Sequence, residues 1–202
     1  MKPLKNHFLQ TRESGASLIV VLLILVIVSI LGVSGIQISM LAERGTRNER
    51  DYQVAWQGAE SALLDAEFDI EGLPATSTQK RNSIFKIGST DVSKFIENCG
   101  TSSSSKGLCA QNQTGKPAWL AVDFRDATNS AATVEFGTFT GRTFASGGAG
   151  IQPAQAPRYV IELLNPSRTT DPAKAEYIYR ITAMGFGPNI ETQAVVQTLY
   201  RN

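Results

Sequence analysis

The chain has 202 residues, 42% of them hydrophobic, and a formal net charge of +1. Neither basic nor acidic residues form a run, so no sequence-wide field would attract nucleic acid or a strongly charged substrate. Beyond a basic leader and an apolar segment, about 150 residues remain, which is enough for one compact domain with one core.

An uncharged segment follows the leader and extends from Ser14 to Ala42. A bilayer core about 30 Å thick needs roughly 20 mostly apolar residues in a helix, so this segment can span a membrane. Lys2, Lys5 and Arg12 precede it. This basic bias keeps the amino end cytoplasmic and exports the rest of the chain.

The order of leader and apolar segment indicates where the chain is processed. A secretory signal is cut after its apolar region, here near Val33-Ser34-Gly35, and that region is then lost. A cut between Gly15 and Ala16 would instead leave the apolar helix on the mature protein. The helical pattern continues through the first of these sites without a break, which favours the second.

The apolar segment continues into an amphipathic helix over residues 43–72. Apolar side chains recur there at spacings of three and four, which predicts one face directed at a domain. They are Tyr52, Ala55, Trp56, Ala59, Ala62, Leu63, Ala66 and Ile70. A helix from Ala16 to about Ile70 is on the order of 80 Å long, so its carboxyl-terminal half must pack on the domain that follows. Gly72 and Pro74 end it.

Beyond Pro74 the pattern changes to short alternating or β-branched runs separated by Gly, Pro, Ser and Asn, which predicts a sheet. Candidate strands are 119–124, 133–139 and 159–164. Two further runs, 177–184 and 192–200, flank a turn-rich segment and are predicted to form an antiparallel hairpin. Between them and the earlier strands, residues 144–157 have no periodicity and are interpreted as a mobile loop.

The predicted fold class is α+β, with a long amino-terminal helix packed on a carboxyl-terminal antiparallel sheet. The helix carries small residues at Ala55, Gly58, Ala59 and Ala62. They let another surface come close, and we expect that surface to be the protein's own sheet. Contact with a neighbouring subunit is the alternative.

The only cysteines, Cys99 and Cys109, enclose a serine-rich loop. Because the domain is exported to an oxidising compartment, a disulfide between them is the default interpretation. Closing a loop of this size gives up to roughly 3 kcal/mol in the chain-entropy model. A metal site would need more ligands than two cysteines, and the only histidine, His7, lies in the leader.

The sequence offers no convincing catalytic site. Without a histidine outside the leader, a Ser-His-Asp or Cys-His site is excluded. Residues 146–150 are rich in glycine but lack the Gly-Lys-Ser/Thr ending of a P-loop. Paired carboxylates could converge in space, although scattered solvated acids are the simpler interpretation. The acids concerned are Asp123, Asp126, Glu135 and Glu162. We therefore expect a protein that is not an enzyme and needs no cofactor or metal.

Two stretches of the chain resemble type IV pilus minor pilins, specifically the PilX group. The first is 15–64, with the Gly15-Ala16 junction, the run Leu31-Gly32-Val33, the charged cluster Arg47–Asp51 and the segment Ala55-Trp56-Gln57-Gly58-Ala59-Glu60. The second is Tyr179–Gly187 leading to Val195–Arg201, which is similar to the closing hairpin of that group.

The resemblance implies a processing and domain scheme. A prepilin peptidase would remove leader 1–15 by cutting after Gly15, and the new amino group of Ala16 would be methylated. Residues 16–42 would form the transmembrane and filament-core helix, 43–72 its amphipathic continuation, and 73–202 a β-rich periplasmic domain. The protein would wait in the inner membrane and then enter a pilus at the cell surface.

The resemblance also implies partners. They are other minor pilins, the major pilin, the prepilin peptidase, the inner-membrane assembly platform and a tip adhesin, in a pilus serving motility, adhesion or DNA uptake. Val20 departs from the commoner pattern, in which the fifth residue after the cut is a glutamate that meets the amino group of the subunit assembled before it. Its absence suits a subunit at or near the filament tip, where nothing precedes it.

Two other functions stay open at this point. A type II secretion pseudopilin of the tip type also lacks the glutamate but carries a large inserted helical subdomain. A membrane-anchored periplasmic adhesive domain could use the disulfide loop or residues 144–157 to touch a surface.

Overall fold

A computed structural model describes residues 16–148, 150–164 and 177–201. The chain divides into two compact units, Met1–Arg47 and Asn48–Asn202, which are described separately. The long helix α1, Ala16–Glu71, contributes to both.

The carboxyl end of α1 is closed by a glycine, as the sequence predicts. Gly72 has a φ of 76°, in the left-handed region that glycine adopts without strain. The N–H of Leu73 donates to the carbonyl of Phe68 at 2.8 Å. This six-residue closure is the Schellman motif, and it satisfies one of the carbonyls left free at the helix end.

The second unit contains one sheet. Its strands are β1 Leu108–Ala110, β2 Val134–Glu135, β3 Arg158–Leu164, β4 Ile178–Phe186 and β5 Gln193–Arg201. The order is β1-β3-β4-β5, with β2 also paired to β3. The pairs β2–β3, β3–β4 and β4–β5 are antiparallel, whereas β1 runs parallel to β3. The predicted α+β class is confirmed, but the sheet is mixed rather than wholly antiparallel.

The strand predictions succeed best near the carboxyl end. The hairpin is confirmed as β4 and β5, and 159–164 as β3. The strand predicted at 133–139 is only β2, because the N–H of Gly137 donates to Asp65 on α1 rather than to a neighbouring strand.

The strand predicted at 119–124 is wrong. Residues Ala118–Ala121 form the short helix α2 after Pro117. Ala, Trp and Leu are adequate helix formers, and proline is tolerated at a helix start. Asp123 then accepts the N–H of Arg125 at 2.8 Å and turns the chain. Three single-turn 3-10 helices, which no sequence pattern predicts, occupy Asn82–Phe85, Val92–Lys94 and Ser103–Ser105.

The sheet is the middle of three layers in this unit. Alternate residues of β3 and β4 pack beneath α1 in the larger core, among them Tyr159, Ile161, Tyr179, Ile181 and Ala183, together with Ala62, Ala66 and Ile70 of the helix. The other face of the sheet packs against the disulfide and α2 through Cys99, Cys109, Ala118, Phe124, Val160 and Phe186.

The small residues of α1 pack on the protein's own sheet, so that prediction is confirmed. Ala55, Ala59 and Ala62 are fully buried. A Cβ built on Gly58 would lie 3.5 Å from the Cα of Gly185 in β4. The predicted buried face was too wide, however, because Tyr52 and Trp56 are 44% and 40% exposed.

Candidate interaction surfaces

The amino-terminal part of α1 is an exposed apolar surface. Large aliphatic side chains cover it from Leu18 to Leu41, and every one of them is open to the surroundings. It is the one helix in the described chain whose length and composition would allow it to cross a membrane. Ser29 and Ser34 interrupt it but donate their hydroxyls to backbone carbonyls one turn back, at 2.7 and 2.9 Å. Such internal bonds lower the cost of placing hydroxyls in lipid.

The residues predicted to determine cleavage, methylation and the position of the subunit in the filament lie at the start of this surface. Gly15 falls outside the described residues, and Ala16 is the first residue of α1. Val20 is 56% exposed on the helix and has aliphatic neighbours before and after it. The first charged pair beyond the apolar surface is Glu43 with Arg47, joined at 2.6 Å. Both are solvated, so this pair contributes only a few tenths of a kcal/mol.

A buried arginine fixes the carboxyl end of α1. Nε of Arg81 donates to both carboxylate oxygens of Asp69 at 3.0 Å. Nη1 donates to the carbonyls of Ser104 and Lys106 at 2.9 and 2.6 Å. The hydroxyl of Tyr159 donates to the same carboxylate at 2.9 Å. Burial, followed by the charge of Asp69, raises the pKa of Tyr159 well above its usual value. The cluster joins the helix, the disulfide loop and β3.

A second buried carboxylate anchors the middle of the helix. Asp65 accepts the N–H of Gly137 at 2.8 Å and the hydroxyl of Thr140 at 2.6 Å. Nη1 of Arg142 lies 3.5 Å from the same carboxylate. Burial raises the pKa of Asp65 above its ordinary value, although these bonds and the arginine oppose the shift. Because all these partners belong to one turn, the cluster attaches that turn to α1.

The predicted disulfide between Cys99 and Cys109 is confirmed. Both cysteines are buried, while Ser102 and Ser103 inside the loop are exposed. The loop is tied to the sheet because the N–H of Ile161 in β3 donates to the carbonyl of Gly107 at 2.8 Å. The exposed serines make it a solvated surface feature on a rigid base.

The four acids considered for catalysis are not gathered in one site. Each is bound by its own neighbour: Asp123 by the Arg125 amide, Asp126 by the Thr128 amide, Glu135 by Arg158 and Glu162 by Arg180. Glu135 lies opposite Arg158, so it is four strand positions, or roughly 13 Å, from Glu162 along β3. In the described part of the chain, no three His, Cys, Asp or Glu side chains are grouped as metal ligands would be.

The glycine-rich loop does not cradle a phosphate in the way a P-loop does. Ala149 lies outside the described residues, and the rest of 146–150 opens no helix, since the next regular element is β3. A P-loop binds phosphate with the N–H groups at a helix start. The mobility predicted for residues 144–157 stays a prediction.

Comparison with known proteins places most of the chain in one family. The PilX N-terminal family model matches residues 14–64. The model for the type IV pilus assembly protein PilX C-term matches residues 105–202. Neither a curated protein nor a solved structure gives a significant match. The two matched segments include the exposed apolar surface, the disulfide's second cysteine and every strand of the sheet.

Proposed function

Because the chain belongs to the PilX family and is a minor pilin of a type IV pilus, we propose that it sits at or near the pilus tip and helps to prime assembly. The observation that carries this proposal is Val20. It is the fifth residue of α1, where most pilins have a glutamate, and its side chain is open to a neighbour. An unpaired carboxylate in lipid costs several kcal/mol, so the glutamate of an ordinary pilin needs a preceding amine. A subunit with valine there needs no predecessor.

Assembly begins with the peptidase. It removes leader 1–15 after Gly15, and the new amine of Ala16, once methylated, is offered to the glutamate of the next subunit below. Helix residues 16–42 first lie in the inner membrane, with 43–72 and the domain 73–202 in the periplasm. The apolar surface then exchanges lipid for the helices of neighbouring subunits as the subunit is lifted into the pilus.

The partners follow from this scheme. The peptidase and the assembly platform act in the membrane, whereas other minor pilins and the major pilin contact the protein in the filament. A tip adhesin would lie above it. A pseudopilin of the tip type carries a large helical subdomain. Among the described residues between 72 and 164, no helix exceeds four residues, so the pseudopilin alternative gains no support.

The mass and amino terminus of the protein test the proposal. We would measure both in membranes and in sheared filaments, from cells with and without the prepilin peptidase. A mature chain that begins at methylated Ala16, is scarce in filaments and is missing without the peptidase is the expected result. A chain beginning near Ile36, or an uncut chain in both strains, would refute it.

A further inference from the structure

The strand β5 forms an open edge of the sheet. It pairs with β4 over nine positions, and no described residue pairs with its other side. An unpaired edge presents a row of backbone N–H and C=O groups that only another extended chain can bond in a regular ladder. The edge therefore specifies the kind of group that can bind there.

The hairpin geometry identifies the groups that face outward. The N–H of Gly187 donates to the carbonyl of Thr192 at 2.7 Å and closes the hairpin. Hydrogen-bonded and non-hydrogen-bonded positions alternate from that pair onward. Even-numbered residues of β5 therefore bond to β4, whereas the odd-numbered residues Val195, Gln197 and Leu199 direct their backbone N–H and C=O away from it.

The edge lacks the usual devices that prevent strand addition. Natural edges are blunted by lysine, proline or a bulge. β5 has no lysine and no proline, carries no charge before Arg201, and its register with β4 is continuous. On the face away from α1 it exposes Val195 (43%) and Leu199 (65%). Residues 193–200 are therefore uncharged, and the exposed apolar side chains of Val195 and Leu199 lie on either side of Gln197.

The opposite edge of the sheet is not available for a second copy to bind head to tail. β1 has three residues, and its outer side is already bonded to Ile96. The N–H of Ile96 donates to the carbonyl of Leu108 at 3.2 Å, and the N–H of Ala110 donates to the carbonyl of Ile96 at 2.9 Å. β5 of one copy therefore cannot join β1 of another copy.

Pairing of two identical β5 edges also fails within one filament. Antiparallel pairing requires a two-fold axis perpendicular to the sheet, which would point the helix segments 48–71 of the two copies in opposite directions. Parallel pairing would place those segments on opposite faces of the joined sheet. Neither arrangement allows two subunits to contribute parallel, adjacent helices to one filament. The requirement for parallel, adjacent helices rests on the proposed function.

We propose that β5 accepts an extended segment of a different pilus protein as an additional strand. The segment bonds to the outward groups of Val195, Gln197 and Leu199. It carries apolar side chains at alternate positions to cover Val195 and Leu199, and it needs no charge opposite residues 193–200.

A proline at an outward position tests the proposal in pilus-producing cells. Gln197→Pro removes one outward N–H and leaves the backbone bonds to β4, whereas Thr198→Pro removes an N–H that bonds to β4. Gln197→Pro also loses the side-chain bond from Nε2 to Oγ1 of Thr182 in β4, a loss that Gln197→Ala shares. Gln197→Ala is the matched control. We expect the Gln197→Pro chain to keep its disulfide and its amount in the membrane. Cells that carry it should have at most about one tenth as many pili as cells with Gln197→Ala. Equal pilus numbers for the two Gln197 variants would overturn the proposal.

A photocrosslinking amino acid at position 199 keeps the proposal testable if Gln197→Pro does not fold. The same amino acid at Ile190, in the hairpin turn, is the control. In sheared filaments we expect a covalent product with a segment of a different pilus protein from position 199 alone. A covalent dimer of this chain, or no product, would overturn the inference. A mature chain present in filaments without these effects would leave the proposed function intact.

Discussion

Asp69 and Arg81 illustrate how a buried charge is tolerated in this domain. Each is enclosed, and the guanidinium reaches two backbone carbonyls in addition to the carboxylate. Removing both charges from water is costly, and their attraction only offsets that cost. The intact pair therefore adds little net stability, whereas loss of one member leaves the other charge buried without a partner.

Replacing Arg81 by methionine should destabilise the domain by about 3–5 kcal/mol, because Asp69 would stay buried without its cation. Tyr159→Phe removes only one hydrogen bond to the same carboxylate and should cost about 1 kcal/mol. Chemical unfolding of the full chain in detergent, followed by tryptophan fluorescence, would measure both. Equal losses of unfolding free energy in the two variants would show that losing the ion pair costs no more than losing one hydrogen bond.

Asp65 makes stability depend on pH in the direction opposite to most acids. Burial raises its pKa above 3.8, so between 3.8 and the raised value the folded state holds more protons than the unfolded state. Its contribution to stability therefore increases as pH falls through the raised pKa and is lost as pH rises.

Asp65→Asn should remove this dependence. The free energy of unfolding of the unmodified chain, minus that of the variant, should increase as pH is lowered from about 7 toward about 4. All other acids are common to both proteins, so the difference isolates Asp65. A difference that does not vary over this range would contradict the assignment.

At the scale of elements, α1 meets β4 through two facing glycines. A Cβ on Gly185 would collide with the backbone of α1 at the carbonyl of Ala55 and the amide nitrogen of Ala59, whereas a Cβ on Gly58 would make ordinary contacts. The helix can approach the sheet this closely only because Gly185 has no side chain. The two positions therefore differ in tolerance although they touch each other.

Gly185→Ala should cost about 2–3 kcal/mol, since backbone must move to admit the methyl group. Gly58→Ala should be neutral or should stabilise by up to about 1 kcal/mol, because alanine is the better residue in a helix interior. Thermal unfolding of the two full-length variants side by side would test this. A larger loss at Gly58 would mean that the helix and sheet are packed differently.

For the whole molecule, the predicted role depends on Val20. Val20→Glu restores the acid of an ordinary pilin, and Val21→Glu places the same acid one position further on an equally exposed site. Both carry the cost of several kcal/mol for an acid in lipid, but only the first can meet a preceding amine. We expect Val20→Glu to change pilus number and subunit order, and to enter filaments in more copies than Val21→Glu.

Electron microscopy of pili and quantification of the protein in sheared filaments would measure these effects. If Val20→Glu left both pilus number and subunit order unaltered, the missing acid would have no positional meaning. If the added acid reduces membrane insertion, both variants will be less abundant in the membrane fraction. The Val21→Glu chain therefore serves as the control for this effect.

Much of this architecture follows from local sequence patterns, and the exceptions have physical causes. Periodicity finds α1, β3 and the hairpin because their apolar spacing repeats over many residues. The parallel β1–β3 pairing joins residues about fifty positions apart, which no local pattern encodes. Asp65 and Arg81 look like surface residues until their distant partners are known. The open edge of β5 could not be anticipated, because a strand without lysine or proline looks like an interior strand of a sheet.

Arg81 also determines how the domain carries a mechanical load. Its carbonyl partners lie inside the loop that Cys99 and Cys109 close, while its carboxylate partner lies on the last turns of α1. Tension along this helix would pass through Arg81 into a covalently closed loop instead of an open stretch of chain. Because the disulfide limits how far that loop can open, the domain should extend less under a force on α1 than it would with the disulfide reduced.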